Sequence, residues 1–598
     1  MSAPMDQSSR PVFFGAPERA CFAWIHTPSA QRRKSGVVIC KPFGYEAICA
    51  HRSVRHIAQR AARAGIPAIR FDYEGSGDSI GSDRDGDRLP AWIRSIHAAI
   101  DELKRVSGVE RVYLLGLRLG SALATLASAE RTDVAGLISI APVVTVKTYL
   151  RELRALQMAL ALNPPPCDFQ PPAGEREAAG FMISAATHAS LSEIDVSRAP
   201  LRPAERVLIL DREELPSGDK WADAMRSAGV SVDHRNVQGF AELVLDPHNA
   251  RVPDTIIEAS VAFITETPDE AGGASIDVSR VSAADAGGAA RAEFEVEGQR
   301  IRESAVQLTG AHPLFGVVSE PAAPASAPRK TILLLNSGAI HHIGPNRLYV
   351  EFARSWAARG CVVMRADLSG LGDSPARPGE AENVVYSSRA QEDVAALLSY
   401  LRSREGVGKT YAVGLCSGAY NAFKSAVAGA PLDGVVLINP LTFFWKEGMS
   451  LNVSRHKVVE DAQRYSRMVR SREAWKRLLS GRVELRRVVE VVLRKGGGVV
   501  ETHLRDVGRF LGYPLPEDLG VELESVARRG VAMKFVFASD EPGVELLRAQ
   551  GGRSVQRLTE QGKLEQHLIP GADHTFTGRW MQEQLASELS RLVTRLPS

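Results

Sequence analysis

Twice in this chain a strand-like run enters a Gly-x-X-x-Gly turn and leaves it as an Ala-rich helix. The first copy is Gly116-Leu117-Arg118-Leu119-Gly120, after Arg111-Val112-Tyr113-Leu114-Leu115. The second is Gly414-Leu415-Cys416-Ser417-Gly418, after Thr410-Tyr411-Ala412-Val413. So tight a passage from strand to helix needs glycine on both sides and lifts the central side chain out of the turn. One copy carries a guanidinium at that point and the other a thiol. Only the thiol can attack a carbonyl carbon.

The duplication extends well beyond the turns. Phe71-Asp72-Tyr73-Glu74-Gly75-Ser76-Gly77-Asp78-Ser79 is echoed by Ala366-Asp367-Leu368-Ser369-Gly370-Leu371-Gly372-Asp373-Ser374. The offsets, 295 residues for Asp72/Asp367 and 298 for Gly116/Gly414, agree closely. A period of about 300 residues is a tandem duplication of domains and is far too long for a solenoid.

Apolar runs alternate with amphipathic helical segments in both units, the pattern of a parallel α/β sheet. Strands are expected at Val37–Cys40, Pro67–Arg70, Val112–Leu115, Gly136–Ile140 and Val207–Leu210. Their counterparts are Thr331–Leu335, Cys361–Arg365, the run before Gly414, Gly434–Ile438 and Ala532–Phe537, with helices at Asn346–Arg359 and Ser388–Arg404. The expected architecture is two mostly parallel, doubly wound sheets in domains 1–265 and 291–598. Residues 266–290, rich in Ala, Gly, Ser and Asp, read as a linker. About 441–529 is an insertion between two core strands, expected to form a helical cap. From Leu441 to Phe510 it holds sixteen Lys/Arg against eight Asp/Glu. That is either a solvated helix face or a basic rim for an anionic partner such as CoA phosphates or an acidic acyl-carrier protein.

Composition narrows the classes further. A formal net charge of +3 over 598 residues gives no reason to expect nucleic-acid binding. The six cysteines form neither CxxC pairs nor a disulfide framework, the first ten residues lack an apolar signal region, and no apolar run reaches membrane-span length. A cytoplasmic protein is expected.

The two turns, the Asp-x-x-Gly-x-Gly-Asp-Ser loops and a late Gly571-Ala572-Asp573-His574 together resemble the α/β-hydrolase superfamily, in its serine-aminopeptidase-like branch. The chain is also similar to the bacterial hydrolase pair associated with exosortase and exopolysaccharide systems. The resemblance implies two tandem α/β-hydrolase domains. It makes the Gly-x-X-x-Gly turn a nucleophile elbow, with Cys416 as nucleophile. His574, after the apolar run His567–Ile569, is then the base, and Asp540 the acid that orients it, with adjacent Glu541 as the alternative. The oxyanion donors are expected at Ser417 and at Ala339, with Ile340 second. His341 and His342 have no partner at ligand spacing and read as loop residues near a substrate entrance. No metal and no cofactor is expected.

The first unit departs from this pattern at each decisive position. Arg118 replaces the nucleophile, and Glu242 of Gly239-Phe240-Ala241-Glu242 stands where the base would be. Asp211 remains at the acid position, and His248 is off register. Two charged replacements in matched places predict an Arg118–Glu242 ion pair across an inactive site. The unit then serves packing, gating or partner binding, and an internal pseudo-dimer of the two units is plausible on duplication alone.

A cysteine elbow shifts the expected chemistry from plain ester hydrolysis toward acyl thioesters, from acyl-CoA or acyl-carrier protein. Thiol–thioester exchange is near thermoneutral and leaves an activated acyl-cysteine. Polyhydroxyalkanoate synthases are similar in this one respect. Alternatives are an ester or amide hydrolase with a Cys nucleophile, and a non-catalytic pseudo-hydrolase scaffold.

Overall fold

The computed structural model describes residues 9–29, 32–160, 174–266, 290–310, 312–446, 449, 517–539 and 541–597. Residues 267–289 of the expected linker and most of the expected cap at 441–529 therefore lie outside the described residues. By packing, the chain divides into two bodies. The first comprises residues 1–387, 396–409 and 575–598, and the second comprises 388–395 and 410–574.

In the first body, β1 (Ser9–Phe14), β2 (Cys21–His26), β3 (Ser35–Cys40), β4 (Ala68–Phe71), β5 (Arg111–Leu117) and β6 (Val134–Ile140) belong to one sheet. A short hairpin of β7 (Arg176–Ala178) and β8 (Phe181–Ile183) stands apart, and β9 (Arg206–Arg212) and β10 (Ser231–Val237) complete the sheet. The order is β1-β2-β4-β3-β5-β6-β9-β10, with only β1 and β2 antiparallel to their neighbours. Val37, Val38 and Ile39 are at most 1% exposed, as expected of parallel strands covered by helices on both faces. The same body holds β11 (Arg291–Val296), β12 (Gln299–Leu308), β13 (Leu314–Pro321), β14 (Arg329–Leu335) and β15 (Val362–Asp367). These run β11-β12-β13-β15-β14, and only the last pair is parallel.

The second body carries β16 (Val407–Leu415, from Thr410 onward), β17 (Gly434–Ile438), β18 (Ala532–Ala538) and β19 (Leu564–Ile569), all parallel and in that order. The chain is thus α/β, with two mostly parallel sheets and helices between their strands. The expected strands are present: Gly434–Ile438 is unchanged, Pro67–Arg70 is shifted by one residue, Cys361–Arg365 starts one residue later and ends two later, and the others are longer by one to three residues at one or both ends. The expected helix at Asn346–Arg359 is divided into a 3-10 turn, Pro345–Arg347, and a helix, Leu348–Ala358.

Within the first body the repeated Asp-x-x-Gly-x-Gly-Asp-Ser loops fold identically. Asp72 Oδ2 accepts from the Asp78 N–H at 3.0 Å, and Asp367 Oδ2 from the Asp373 N–H at 2.9 Å. Ser79 and Ser374 donate to the carbonyls of Asp72 and Asp367 and accept from the backbone of Phe22 and Phe315. A Cβ on Gly77 would lie 2.2 Å from the Asp72 carboxylate, and one on Gly372 2.3 Å from that of Asp367, so both positions require glycine.

The two loops also exchange charges. Arg70 donates to Asp373 at 2.7 Å, and the equivalent Arg365 donates to Asp78. Arg354 and Arg365 share Glu303 at 2.7 and 2.9 Å. This is the reciprocity of an isologous contact, in which each partner gives what it receives. His342 completes the network, with Nε2 2.6 Å from Asp78 and Nδ1 2.8 Å from Asp367. Ionised carboxylates only accept, so both ring nitrogens carry protons and His342 is an imidazolium. Burial works against that charge, but Asp78 and Asp367 outweigh it and push the pKa up to about 10. His342 and His341 are loop residues, as expected, and both are buried, His342 within this charge network.

The sign of the pH dependence follows. His342 contributes stability that is complete below its ordinary value of 6.5 and is lost as pH rises through about 10. Stability should fall across that window by up to about 1.4 kcal/mol per pH unit. Urea unfolding of wild type and His342→Gln at pH 7 and pH 10 checks this. A wild-type midpoint that does not move more than that of the variant contradicts it.

Candidate active site

Both elbows hold their central residue in a strained left-handed conformation, Cys416 at φ 58, ψ −114 and Arg118 at φ 51, ψ −120. Each is fixed by the strand beside it, with the Cys416 N–H donating to Ile438 O at 2.9 Å and the Arg118 N–H to Ile140 O at 3.0 Å. A Cβ on Gly414 would lie 2.1 Å from the Gly418 carbonyl carbon, which is why the turn needs glycine there. Strain of this kind persists where the surrounding structure fixes it, and it gathers at reactive positions.

In the second body the His574 ring stands beside one of the two acids that the sequence reading weighed. Its Nδ1 lies 3.0 Å from Glu541 Oε1. That contact is electrostatic and out of line for a directed hydrogen bond. Burial lowers the His574 pKa, but the Cys416 thiol and then the Glu541 carboxylate outweigh it, and the net shift is well upward. The side chain of His574 is 22% exposed and that of Glu541 only 5%. Cys416 itself is buried at 9% exposure. Asp540, the first choice for the acid, lies outside the described residues. Glu541, the alternative, is the acid brought to the ring.

Two residues that the sequence reading passed over fix this arrangement. Asn439, at the end of β17, donates from Nδ2 to His574 O at 2.8 Å and accepts the Ala538 N–H at 2.9 Å. It ties the histidine loop to the strand that leads into Glu541. Gly543, just after Glu541, packs so closely that a Cβ would lie 2.5 Å from Pro440 O. The Asn-Pro pair directly after a strand is the only local signal of this junction.

Ser417 opens the helix Ser417–Val427, where first-turn N–H groups point along the axis. In the first body, the Ile340 N–H is spent on Ser337 O at 3.1 Å. Among the described residues the Ala339 N–H has no partner, so Ala339 rather than Ile340 is available as a donor.

The first repeat corrects one expectation. Arg118 is paired with Glu46, at 2.9 Å, and with Glu152, not with Glu242. Tyr149 donates to the same Glu46 at 2.8 Å, and the guanidinium lies over the Tyr149 and Phe240 rings at 5.1 and 5.7 Å. The segment aligned with the histidine loop does reach Arg118, but through Phe240, leaving Glu242 exposed. Two carboxylates on neighbouring helices satisfy the guanidinium before Glu242 can. Asp211 is fully buried, and its carboxylate accepts the N–H groups of Arg212, Ser217 and Gly218. It stabilises a turn. His248 has Asn249 as its side-chain contact, at 3.0 Å.

No helix among the described residues is long and apolar enough to cross a membrane. The family model of serine aminopeptidase, S33, matches residues 48–166 and 327–487, one segment in each repeat. A search of curated proteins finds no match. Solved structures of similar fold include Est1E from Butyrivibrio proteoclasticus with bound ferulic acid, at 18% identity and TM-score 0.33, covering 42% of this chain and 98% of that one. Another is a thermostable carboxyl esterase from Bacillus coagulans, at 15% identity and TM-score 0.31, covering 44% and 99%. A third is proline iminopeptidase from Mycobacterium smegmatis, at 16% identity and TM-score 0.32, covering 43% and 98%. With a Gly-x-X-x-Gly elbow in both repeats and a family match in each, this chain is a protein of the α/β-hydrolase fold, similar to the S33 serine aminopeptidases.

Proposed function

We propose that the chain is an acyl-transferring or acyl-hydrolysing enzyme that works through an acyl-cysteine on Cys416, with an acyl thioester of CoA or of an acyl-carrier protein as donor. The observation that carries this reading is the His574 ring acted on by both the Cys416 thiol and the Glu541 carboxylate, beside a strained elbow. His574 takes the thiol proton and the sulfur attacks the thioester carbonyl. The Ser417 N–H, in the first turn of its helix, holds the tetrahedral oxyanion. Collapse expels the donor thiolate, which takes the proton from His574. Water, an alcohol or an amine then attacks the acyl-cysteine, giving up its proton to the same ring. Glu541 keeps the imidazolium favourable throughout. The first repeat takes no part in this chemistry, because Arg118 cannot act as a nucleophile. A biosynthetic role in the cytoplasm is part of the same proposal.

Intact-mass measurement after incubation with acyl-CoA tests the proposal. An acyl adduct that is absent in Cys416→Ala is the expected result. Adducts formed only from activated oxoesters favour an ester or amide hydrolase, and no adduct under any condition favours the non-catalytic scaffold. The acid is tested separately. Glu541→Gln should slow acylation by about 10- to 100-fold, since it removes the charge that supports the imidazolium, while Asp540→Asn changes it less than about threefold. The reverse ranking in single-turnover acylation would make Asp540 the acid.

A further inference from the structure

Asn439 follows β17, and in the first repeat Ala141 stands in the same place after β6. Both residues are fully buried, and both hold a left-handed backbone at φ 44. Their N–H groups are used alike, that of Asn439 donating to Val536 O at 3.0 Å and that of Ala141 to Leu210 O at 2.8 Å. Asparagine is favoured in left-handed turns, but here alanine takes up the same conformation and makes the same backbone bond. The amide of Asn439 therefore needs a reason of its own.

That reason lies in what the amide touches. Nδ2 donates to His574 O at 2.8 Å, and Oδ1 accepts the Ala538 N–H at 2.9 Å. The Ala538 carbonyl in turn accepts the Glu541 N–H at 3.2 Å. One side chain and one turn bond thus connect the backbone of the histidine to that of the carboxylate beside it. Ser539 pins the histidine loop from the same strand end, where its Oγ accepts the Gly571 N–H at 3.1 Å. The first repeat solves the same junction differently. Pairing of Ile140 with Leu210 and of Ile438 with Val536 makes Arg212 the counterpart of Ala538. The Arg212 N–H donates to the carboxylate of its neighbour Asp211 at 2.8 Å and needs no amide. The repeat that has no histidine to hold also has no asparagine to hold it.

We propose that Asn439 is a positioning residue for the candidate active site, holding the His574 and Glu541 backbones at the spacing that keeps the carboxylate beside the imidazole. The inference rests on the roles given above to Cys416, His574 and Glu541, and Asn439 acts only through the last two. Spacing matters here because the contact between Glu541 Oε1 and His574 Nδ1, at 3.0 Å, is not reinforced by a directed hydrogen bond. Attraction between a carboxylate and an imidazolium falls with separation, so a histidine loop free to drift by an ångström or two would weaken it. Asn439→Ala removes both amide bonds at once and leaves a residue that the same backbone accepts at Ala141.

Titration of the His574 ring, read by NMR in the full-length protein labelled at histidine, tests the proposal. Asn439→Ala should lower the His574 pKa by about one pH unit, the direction also expected of Glu541→Gln, as the carboxylate moves off. Single-turnover acylation by acyl-CoA should slow about tenfold, with the acyl-CoA concentration at half-saturation unchanged. In the Glu541→Gln background the same substitution should slow acylation by less than about twofold, because it acts through that carboxylate. A residue that only stabilised the fold would lower the unfolding midpoint, leave the titration unmoved and add its effect in the double variant. If Asn439→Ala does not fold, Asn439→Gly, unstrained at this φ, is read in its place. The proposal is overturned if the His574 titration moves by less than about 0.3 pH unit, or if the two substitutions slow acylation additively. A wild type that forms no acyl adduct ends the reading of Cys416, and the titration then decides the role of Asn439 by itself.

Discussion

His574→Ala is expected to slow acylation of Cys416 by about a thousandfold, the ordinary worth of a positioned general base. In the wild type the Cys416 thiol and the Glu541 carboxylate, whose Oε1 lies 3.0 Å from Nδ1, hold the His574 pKa well above its ordinary value. Without the ring the thiol must ionise into solvent unaided. Its acylation rate should then climb about tenfold per pH unit toward the ordinary thiol range, more steeply than that of the wild type. Stopped mass spectrometry at pH 6, 7, 8 and 9 reads both the size of the loss and the slope. A loss under about threefold, or parallel profiles, would remove His574 from the mechanism.

Asp78→Ala should cost about 3–5 kcal/mol of stability, because it strips one carboxylate from two buried cations at once. Arg365 and His342 are both bound to Asp78, and their side chains are 0% and 1% exposed. Neither can reach solvent. By the symmetry of the loops, Asp373→Ala should cost a comparable amount, since it leaves Arg70 and His51 without their shared partner. Chemical unfolding followed by far-UV circular dichroism measures both. Losses under about 1 kcal/mol in both variants would mean that the network is far better solvated than its burial indicates.

What could be read from the sequence was whatever is written locally. The elbows, the paired Asp loops and the parallel strands declare themselves within a few residues, because glycine spacing and apolar runs report local geometry. β12 did not. Its Gln299–Leu308 run carries three charged residues and reads as surface, yet Glu303 is fully buried by two arginines that lie 51 and 62 residues further along the chain. The partners of Arg118 were missed for the same reason, since Glu46 and Glu152 sit on helices with nothing in their neighbourhood to mark them. Choosing between Asp540 and Glu541 depends on how tightly one turn is wound. Periodicity cannot resolve that; among the described residues Glu541 is the one beside the His574 ring.

The reciprocal bonds Arg70–Asp373 and Arg365–Asp78 also bear on how such a chain can evolve. In a homodimer joined by this contact, any change at the elbow would strike both subunits together, and an arginine there would end activity. Once the two copies share one polypeptide, assembly is inherited as a unit and selection acts on each elbow separately. One copy can then exchange its nucleophile for a salt-bridged arginine while the other keeps a thiol, because the bonds that hold the pair lie elsewhere. The bonds that join the two repeats are thus separate from the residue that each repeat carries at its elbow.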